Sequence, residues 1–285
     1  MEDFADVAIL RPSSSNYNFF TLASSMTWIQ IIIIAIVEGL TEFLPVSSTG
    51  HMILVSSFMD ITDQEFLKTF EIGIQLGAIL AIVLLYARRF LQGLQIYYRL
   101  LAAFIPTAVI GLLAYDYIKA YLFNPVIVAS MLIIGGIVLI VIDQRVVSKE
   151  SKVARLEELP LIKAVYIGLI QCLAMIPGTS RAAATIVGGV FNDLDKKQAT
   201  EFSFLLAVPT MVAATGYDLL KTPVEFTGQQ WLWMGVGSLL AFGAAWVAVK
   251  VFLRIIRNSG FIHFGYYRIA IGLAFLALYF WGGVE

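Results

Sequence analysis

The amino-acid sequence predicts an all-α polytopic membrane protein with six transmembrane helices plus two re-entrant broken-helix hairpins, arranged as an inverted repeat. Three observations predict it. Of 285 residues 59% are apolar and 14% charged, with a mean hydropathy of +0.84. Six apolar runs are each long enough to cross about 30 Å of hydrocarbon. Two further apolar stretches are broken by polar turns. One soluble core could not cover so much hydrocarbon, so lipid must be the solvent for most of the chain. A net charge of −1, with no basic stripe interleaved with aromatics, speaks for no nucleic-acid partner. Cys172, the single cysteine, has neither a disulfide partner nor the spaced companions of a zinc site and reads as a packed small residue.

Residues 1–25 mix acids, Arg11-Pro12 and a serine-rich stretch, without the basic and apolar regions of a signal peptide. They are expected to form a mobile N-terminal extension. Residues 26–285 form one integral-membrane domain. Its spans lie near 67–87, 100–118, 125–143, 200–220, 231–252 and 264–281. The interrupted stretches are 27–58, which holds Glu38, Glu42, Pro45 and Ser47-Ser48-Thr49-Gly50-His51, and 161–191, which holds Gln171, Pro177-Gly178 and Ser180-Arg181. Each reads as half-helix, turn, half-helix.

If each interrupted stretch enters and leaves by one side, the six spans fix the side of every loop. Thirteen basic residues then collect on one side (Arg88, Arg89, Arg99, Arg145, Lys149, Lys152, Arg155, Lys163, Lys196, Lys197, Lys250, Arg254, Arg257) and four on the other (Arg11, Lys68, Lys119, Lys221). The positive-inside rule makes the first side cytoplasmic and both termini external. The halves, approximately 26–148 and 160–285, echo one another: Glu42 to Ser48 lies over Ala174 to Ser180, and three spans follow each. An odd number of spans inverts the second half, a fold that places its site at the midplane between the halves.

Glu38 and Glu42 are four residues apart and share one helix face. A charge at bilayer depth costs roughly 2.5–3.5 kcal/mol, so the pair needs a polar cavity, a cation or basic partners. Two acids on one face suit a hard divalent cation such as Mg2+ or Ca2+; the competing reading is an ion pair with Arg181. Ser47, Ser48, Thr49 and His51 begin the next half-helix, whose free N–H groups can bind an anion; alone, they would serve equally as helix caps. Gly178, Thr179, Ser180 and Arg181 repeat the arrangement, with Arg181 able to grip phosphate oxygens at two points. His263, Asp143 and Asp218 read as solvated or interfacial groups. Glu201, opening an apolar span, reads as a helix N-terminal acid or a partner of Arg181.

Val37 to His51, with the run Glu38-Gly39-Leu40-Thr41-Glu42-Phe43-Leu44-Pro45, resembles the first signature of the undecaprenyl-diphosphatase family. Pro177-Gly178-Thr179-Ser180-Arg181 is similar to its second, and Glu201 to Pro209 to a further stretch, so the resemblance runs from about Met26 to the C-terminus. It implies removal of the terminal phosphate of undecaprenyl diphosphate, a carrier of cell-wall synthesis, at the outer face of the bacterial inner membrane. Bacitracin resistance and dependence on a divalent cation are implied too. The family's functional positions fall on Glu38, Glu42, Ser48, His51 and Arg181. One departure is Ala182-Ala183 after Arg181, where the family often has Ser-Gly.

The expected roles are therefore catalysis by Ser48, His51, Glu42 and Arg181, with Ser48 attacking phosphorus and His51 moving its proton, or with His51 itself as the nucleophile. Substrate is bound by Ser47, Thr49, Gly178, Thr179, Ser180 and Arg181, and the cation by Glu38 and Glu42. The expected partners are the polyprenyl diphosphate and membrane lipid, with a homodimer as the assembly to test. A polyprenyl-phosphate transporter or flippase is the rival reading, because inverted repeats of broken helices also build alternating access. A binding scaffold would have no need to bury Glu38, Glu42 and Arg181.

Overall fold

The computed structural model describes residues 26–59, 61, 65–121, 124–145, 151–221 and 226–282; the expected N-terminal extension lies outside them. Among the described residues the regular structure is helical: α1 Trp28–Thr41, α2 Ser48–Phe58, α3 Glu65–Leu85, α4 Ala87–Phe90, α5 Gln95–Tyr121, α6 Pro125–Arg145, α7 Leu161–Gln171, α8 Arg181–Phe191, α9 Lys196–Lys221, α10 Gly228–Ser259 and α11 Ile262–Phe280. Six of them, α3, α5, α6, α9, α10 and α11, are long and apolar enough to cross a membrane. They match the six apolar runs of the sequence, so the chain is a multi-pass membrane protein. The outer faces carry leucine, isoleucine and aromatic side chains, such as Leu113, Leu239 and Tyr98, that only a lipid environment would tolerate in such number.

The three short apolar helices supply the broken segments: α1 and α2 meet at residues 42–47, and α7 runs through a 3₁₀ turn, Cys172–Met175, to α8. The caps relate the halves. Ser47 and Ser180 precede α2 and α8 with φ of 71° and 72°, and each side-chain oxygen accepts the N–H three residues on. Shifting by the 133 residues that separate these serines carries the buried α1 positions Ile31, Ile34, Ala35 and Glu38 onto the buried α7 positions Ala164, Ile167, Gly168 and Gln171. The first residue of α5, Gln95, falls likewise on the first of α10, Gly228. This register differs by one from the overlay of Pro45 on Pro177, because cap conformation and burial, rather than a shared proline, determine which backbone atoms correspond.

Packing follows the same correspondence. Helix α1 lies on α10 and α7 on α5, while α6 packs on α11 and α3 on α9. The half-helices are thus embedded among spans of both halves, and α8 is buried from Ala182 to Val190. The broken segments are enclosed by other helices, the setting in which a membrane protein tolerates irregular backbone.

Candidate active site

The two turns hold their shape against local cost. Serine in the left-handed region is strained by roughly 1–3 kcal/mol, and both Ser47 and Ser180 adopt it. The fixing group is Arg268 of α11, fully buried, which donates from Nη1 to the Pro45 and Thr179 carbonyls (3.0 and 2.9 Å) and from Nη2 to those of Gly178 and Met131 (2.8 and 3.0 Å). Its Nε donates to Leu132 O at 3.2 Å. One guanidinium thus ties both turns to α6, its five donors spent on carbonyls. Space for it comes from Gly135, where a Cβ would lie 2.2 Å from Nη2. Gly178 is required for a second reason: its φ is +92° and a Cβ would stand 2.3 Å from Val128 O.

Sequence reasoning missed Arg268, yet a signal was available. Of 19 lysines and arginines, the thirteen and four assigned to loops leave two unplaced: Arg181 and Arg268.

Because the caps correspond, Ser48 and Arg181 are each the first residue of an inner half-helix, and they face the same cavity of about 610 Å³. Between them stands Glu42, at the C-terminus of α1. Its Oε2 accepts from Ser48 Oγ at 2.6 Å and its Oε1 from Arg181 Nη2 at 3.2 Å. The ion pair is nearly enclosed, with side chains 7% and 12% exposed. Arg181 also donates from Nη1 to Ser203 O at 3.1 Å and lies over the Phe43 ring, while its buried Nε has no partner. A cation with an unspent donor, a serine on a carboxylate and two helix N-termini are the groups with which a protein can bind an anion beside a hydroxyl. Ser47, Thr49, Gly178 and Ser180 also line the cavity, as do Gln75, Thr107, Gln171 and Thr210, to which sequence reasoning gave no role.

Three expected site residues lie off the cavity lining: His51, Glu38 and Thr179. The proton pair expected between Ser48 and His51 is absent. His51 Nδ1 is 2.8 Å from Ser47 O, a pure acceptor, so Nδ1 carries the hydrogen; Nε2, 2.7 Å from Tyr267 Oη, then accepts from the phenol. With both ring nitrogens engaged, the imidazole braces the Ser47 turn, and the base within reach of Ser48 is Glu42. Thr179 contributes its carbonyl to Arg268, while its hydroxyl is buried without a partner. Two further corrections concern the acids outside the cavity. Glu201 pairs with Arg89, which also reaches Glu157 at 3.1 Å, and Asp143 is buried, accepting from Lys196 Nζ at 2.6 Å and Phe261 N at 2.8 Å.

For a cation, the fit test falls on Glu38. It is 1% exposed, and its Oε1 is a buried oxygen with no hydrogen-bond partner. Among the described residues no group of three His, Cys, Asp or Glu side chains could hold a metal alone. One or two carboxylates completed by substrate phosphate oxygens and water is how Mg2+ is usually held; in that mode Glu38 offers a free oxygen from outside the cavity lining, while Glu42 would have to release Arg181 or Ser48.

Comparison with known proteins follows the same pattern. A family model described as bacitracin resistance protein BacA matches residues 31–274. A protein of Wolinella succinogenes named undecaprenyl-diphosphatase is 51% identical over 245 residues, covering 86% of this chain and 95% of its own. Proteins of the same name from Persephonella marina (48% over 248 residues, 87% and 97% covered) and Aquifex aeolicus (47% over 255 residues, 89% and 99% covered) are similar along nearly the same length.

Proposed function

The chain belongs to the bacitracin resistance protein BacA family, and from that membership we propose that it is an undecaprenyl-diphosphatase, a hydrolase that converts undecaprenyl diphosphate to undecaprenyl phosphate and inorganic phosphate. The reaction recycles the lipid carrier of cell-wall synthesis, and the family name ties it to bacitracin resistance. The observation that carries the reading is Glu42 bridging Ser48 and Arg181 in one cavity.

In this mechanism Ser48 Oγ attacks the terminal phosphorus and its proton passes to Glu42. The phosphorus–oxygen bond to the lipid phosphate breaks, and that group leaves with the electron pair and the proton returned by Glu42. Arg181 leaves its partnership with Glu42 to hold the equatorial oxygens, helped by the N–H groups that begin α2 and α8. Phosphoryl transfer asks chiefly for such positioning and electrostatics. His51 keeps the Ser47 turn in place through Ser47 O. A divalent cation, Mg2+ or Ca2+, would be held by Glu38 and Glu42 and would supply charge neutralisation for the diphosphate.

The finer architecture belongs to the same proposal. The two broken segments are re-entrant, the halves form an inverted repeat, and the site opens to the outer face of the bacterial inner membrane. Supporting the topology is the shared 133-residue register, with three spans after each broken segment. Supporting the orientation is the clustering of charges from the basic side into ion pairs between α4 and α9, α6 and α9, and α7 with the turn after α8.

Release of inorganic phosphate from undecaprenyl diphosphate by the purified protein in detergent tests the function. Stoichiometric release supports it; transport of the lipid across vesicles without release would replace it with the transporter reading.

A further inference from the structure

Gln171 is the α7 counterpart of Glu38 in the 133-residue register, but unlike Glu38 it lines the cavity. It is 1% exposed. Its amide is oriented with Nε2 toward two threonine hydroxyls. Thr107 Oγ1 donates to Gly168 O at 2.9 Å, and Thr210 Oγ1 donates to Leu206 O at 2.8 Å. With their hydrogens spent, both hydroxyls can only accept, and Gln171 Nε2 donates to them at 2.8 and 3.4 Å. In this arrangement Nε2 meets two acceptors. Oε1 is therefore the other end, and it is buried without a partner. Leaving such an acceptor unpaired costs about 1–3 kcal/mol. Gln171 lines the cavity, and a small donor entering beside it could satisfy this acceptor.

A fully ionised phosphate offers no donor, whereas the hydrolysis requires one small donor molecule, the water that carries oxygen to phosphorus. We propose that Gln171 is a positioning residue that orients this water, accepting one of its hydrogens at Oε1 while Glu42, on the wall of the same cavity, takes the other. The inference rests on the phosphatase reading. The balance of the second step is complete: the water oxygen bonds to the phosphorus held on Ser48 and the phosphorus–Oγ bond breaks. The electron pair returns to Oγ, and the proton that Glu42 takes from water is passed to Oγ. Inorganic phosphate leaves and the resting hydrogen bond from Ser48 to Glu42 is restored. The threonines act through the amide: by accepting from Nε2 they keep Oε1 turned to the water.

The test uses the full chain in detergent with undecaprenyl diphosphate, following lipid phosphate and inorganic phosphate separately from the first turnover. Gln171→Met is expected to retain a first-turnover burst of lipid phosphate while steady-state phosphate release falls by about 100-fold with KM unchanged, the scale of loss from a misplaced reactant. Thr107→Val, which removes an acceptor but leaves Gln171 in place, is expected to lower kcat in the same sense, and Thr107→Ser to restore it. The Thr107 pair carries the test if Gln171→Met does not fold. An unchanged kcat, a loss confined to KM, recovery of Gln171→Met by added Mg2+, or equal loss from Thr107→Ser and Thr107→Val would overturn the assignment. Failure of the parent protein to release phosphate would instead sink the phosphatase reading beneath it.

Discussion

Ser48 donates its hydroxyl hydrogen to Glu42 at 2.6 Å, across six residues of chain that turn from the end of one half-helix to the start of the next. The carboxylate that binds the serine also binds Arg181 from the opposite half of the molecule. Loss of Glu42 should therefore remove the base and unseat the arginine together. Glu42→Gln is expected to lower kcat by roughly 10³-fold or more, with Glu42→Asp intermediate, measured as phosphate release. Near-normal turnover in Glu42→Gln would remove Glu42 from the chemistry.

Arg181→Lys keeps the charge but gives up the planar fork that reaches Glu42 and Ser203 O simultaneously. A loss of about 10²–10³-fold in kcat is expected. Full activity would mean that Arg181 serves only as counter-ion to Glu42.

His51 offers a sharper contrast. If the imidazole braces the turn by donating to Ser47 O and accepting from Tyr267, a glutamine, which has both a donor and an acceptor, should substitute in part. His51→Gln is expected to exceed His51→Ala by about tenfold or more in kcat, whereas a proton shuttle working by about 10²–10⁴-fold would leave both equally inactive.

Much of this was legible in the sequence. Six apolar runs gave six spans, and the acid pair with the Ser/His and Arg motifs marked the two turns that meet at one cavity, because a charge in hydrocarbon is costly enough to be informative by its presence alone. Two things were not legible. Whether His51 or Glu42 reaches Ser48 depends on a left-handed Ser47 and on Tyr267, a partner 216 residues from His51. Arg268 has no short-range motif at all; its partners are backbone carbonyls of three segments, and a carbonyl carries no side-chain signature. Glu201, which opens an apolar span and reads as a helix N-terminal acid or a partner of Arg181, pairs instead with Arg89, 112 residues away in sequence.

The Arg268 clamp predicts a stability effect separable from catalysis. Arg268→Met leaves carbonyls of both turns unpaired, and Gly135→Ala drives a methyl into the guanidinium. Both are expected to lower the thermal midpoint in detergent, with the arginine deletion costing roughly 1–3 kcal/mol for each carbonyl left unpaired. An unchanged midpoint for Gly135→Ala would mean that the clamp is not tightly packed.

One ion pair away from the membrane spans sets a pH dependence. Asp193, in the turn between α8 and α9, is held down to about 2, first by the hydrogen bond from Lys163 Nζ at 2.7 Å and then by the charges of Lys152 and Lys163. Its folded value lies below the unfolded one of about 3.9. The stabilisation is therefore complete above about pH 4 and is lost as pH falls toward 2. Asp193→Asn should melt below the parent at neutral pH, and the gap should narrow over that acid window; a gap independent of pH would contradict the assignment.

In the proposed mechanism Ser48, activated by Glu42, takes the phosphate. Acid quench of the parent protein during turnover of undecaprenyl diphosphate labelled in its terminal phosphate tests it most directly. The predicted result is an acid-stable phosphoserine at position 48, absent from Ser48→Ala and formed far more slowly by Glu42→Gln. An acid-labile, base-stable adduct on His51, or no adduct with inversion at phosphorus, would contradict it.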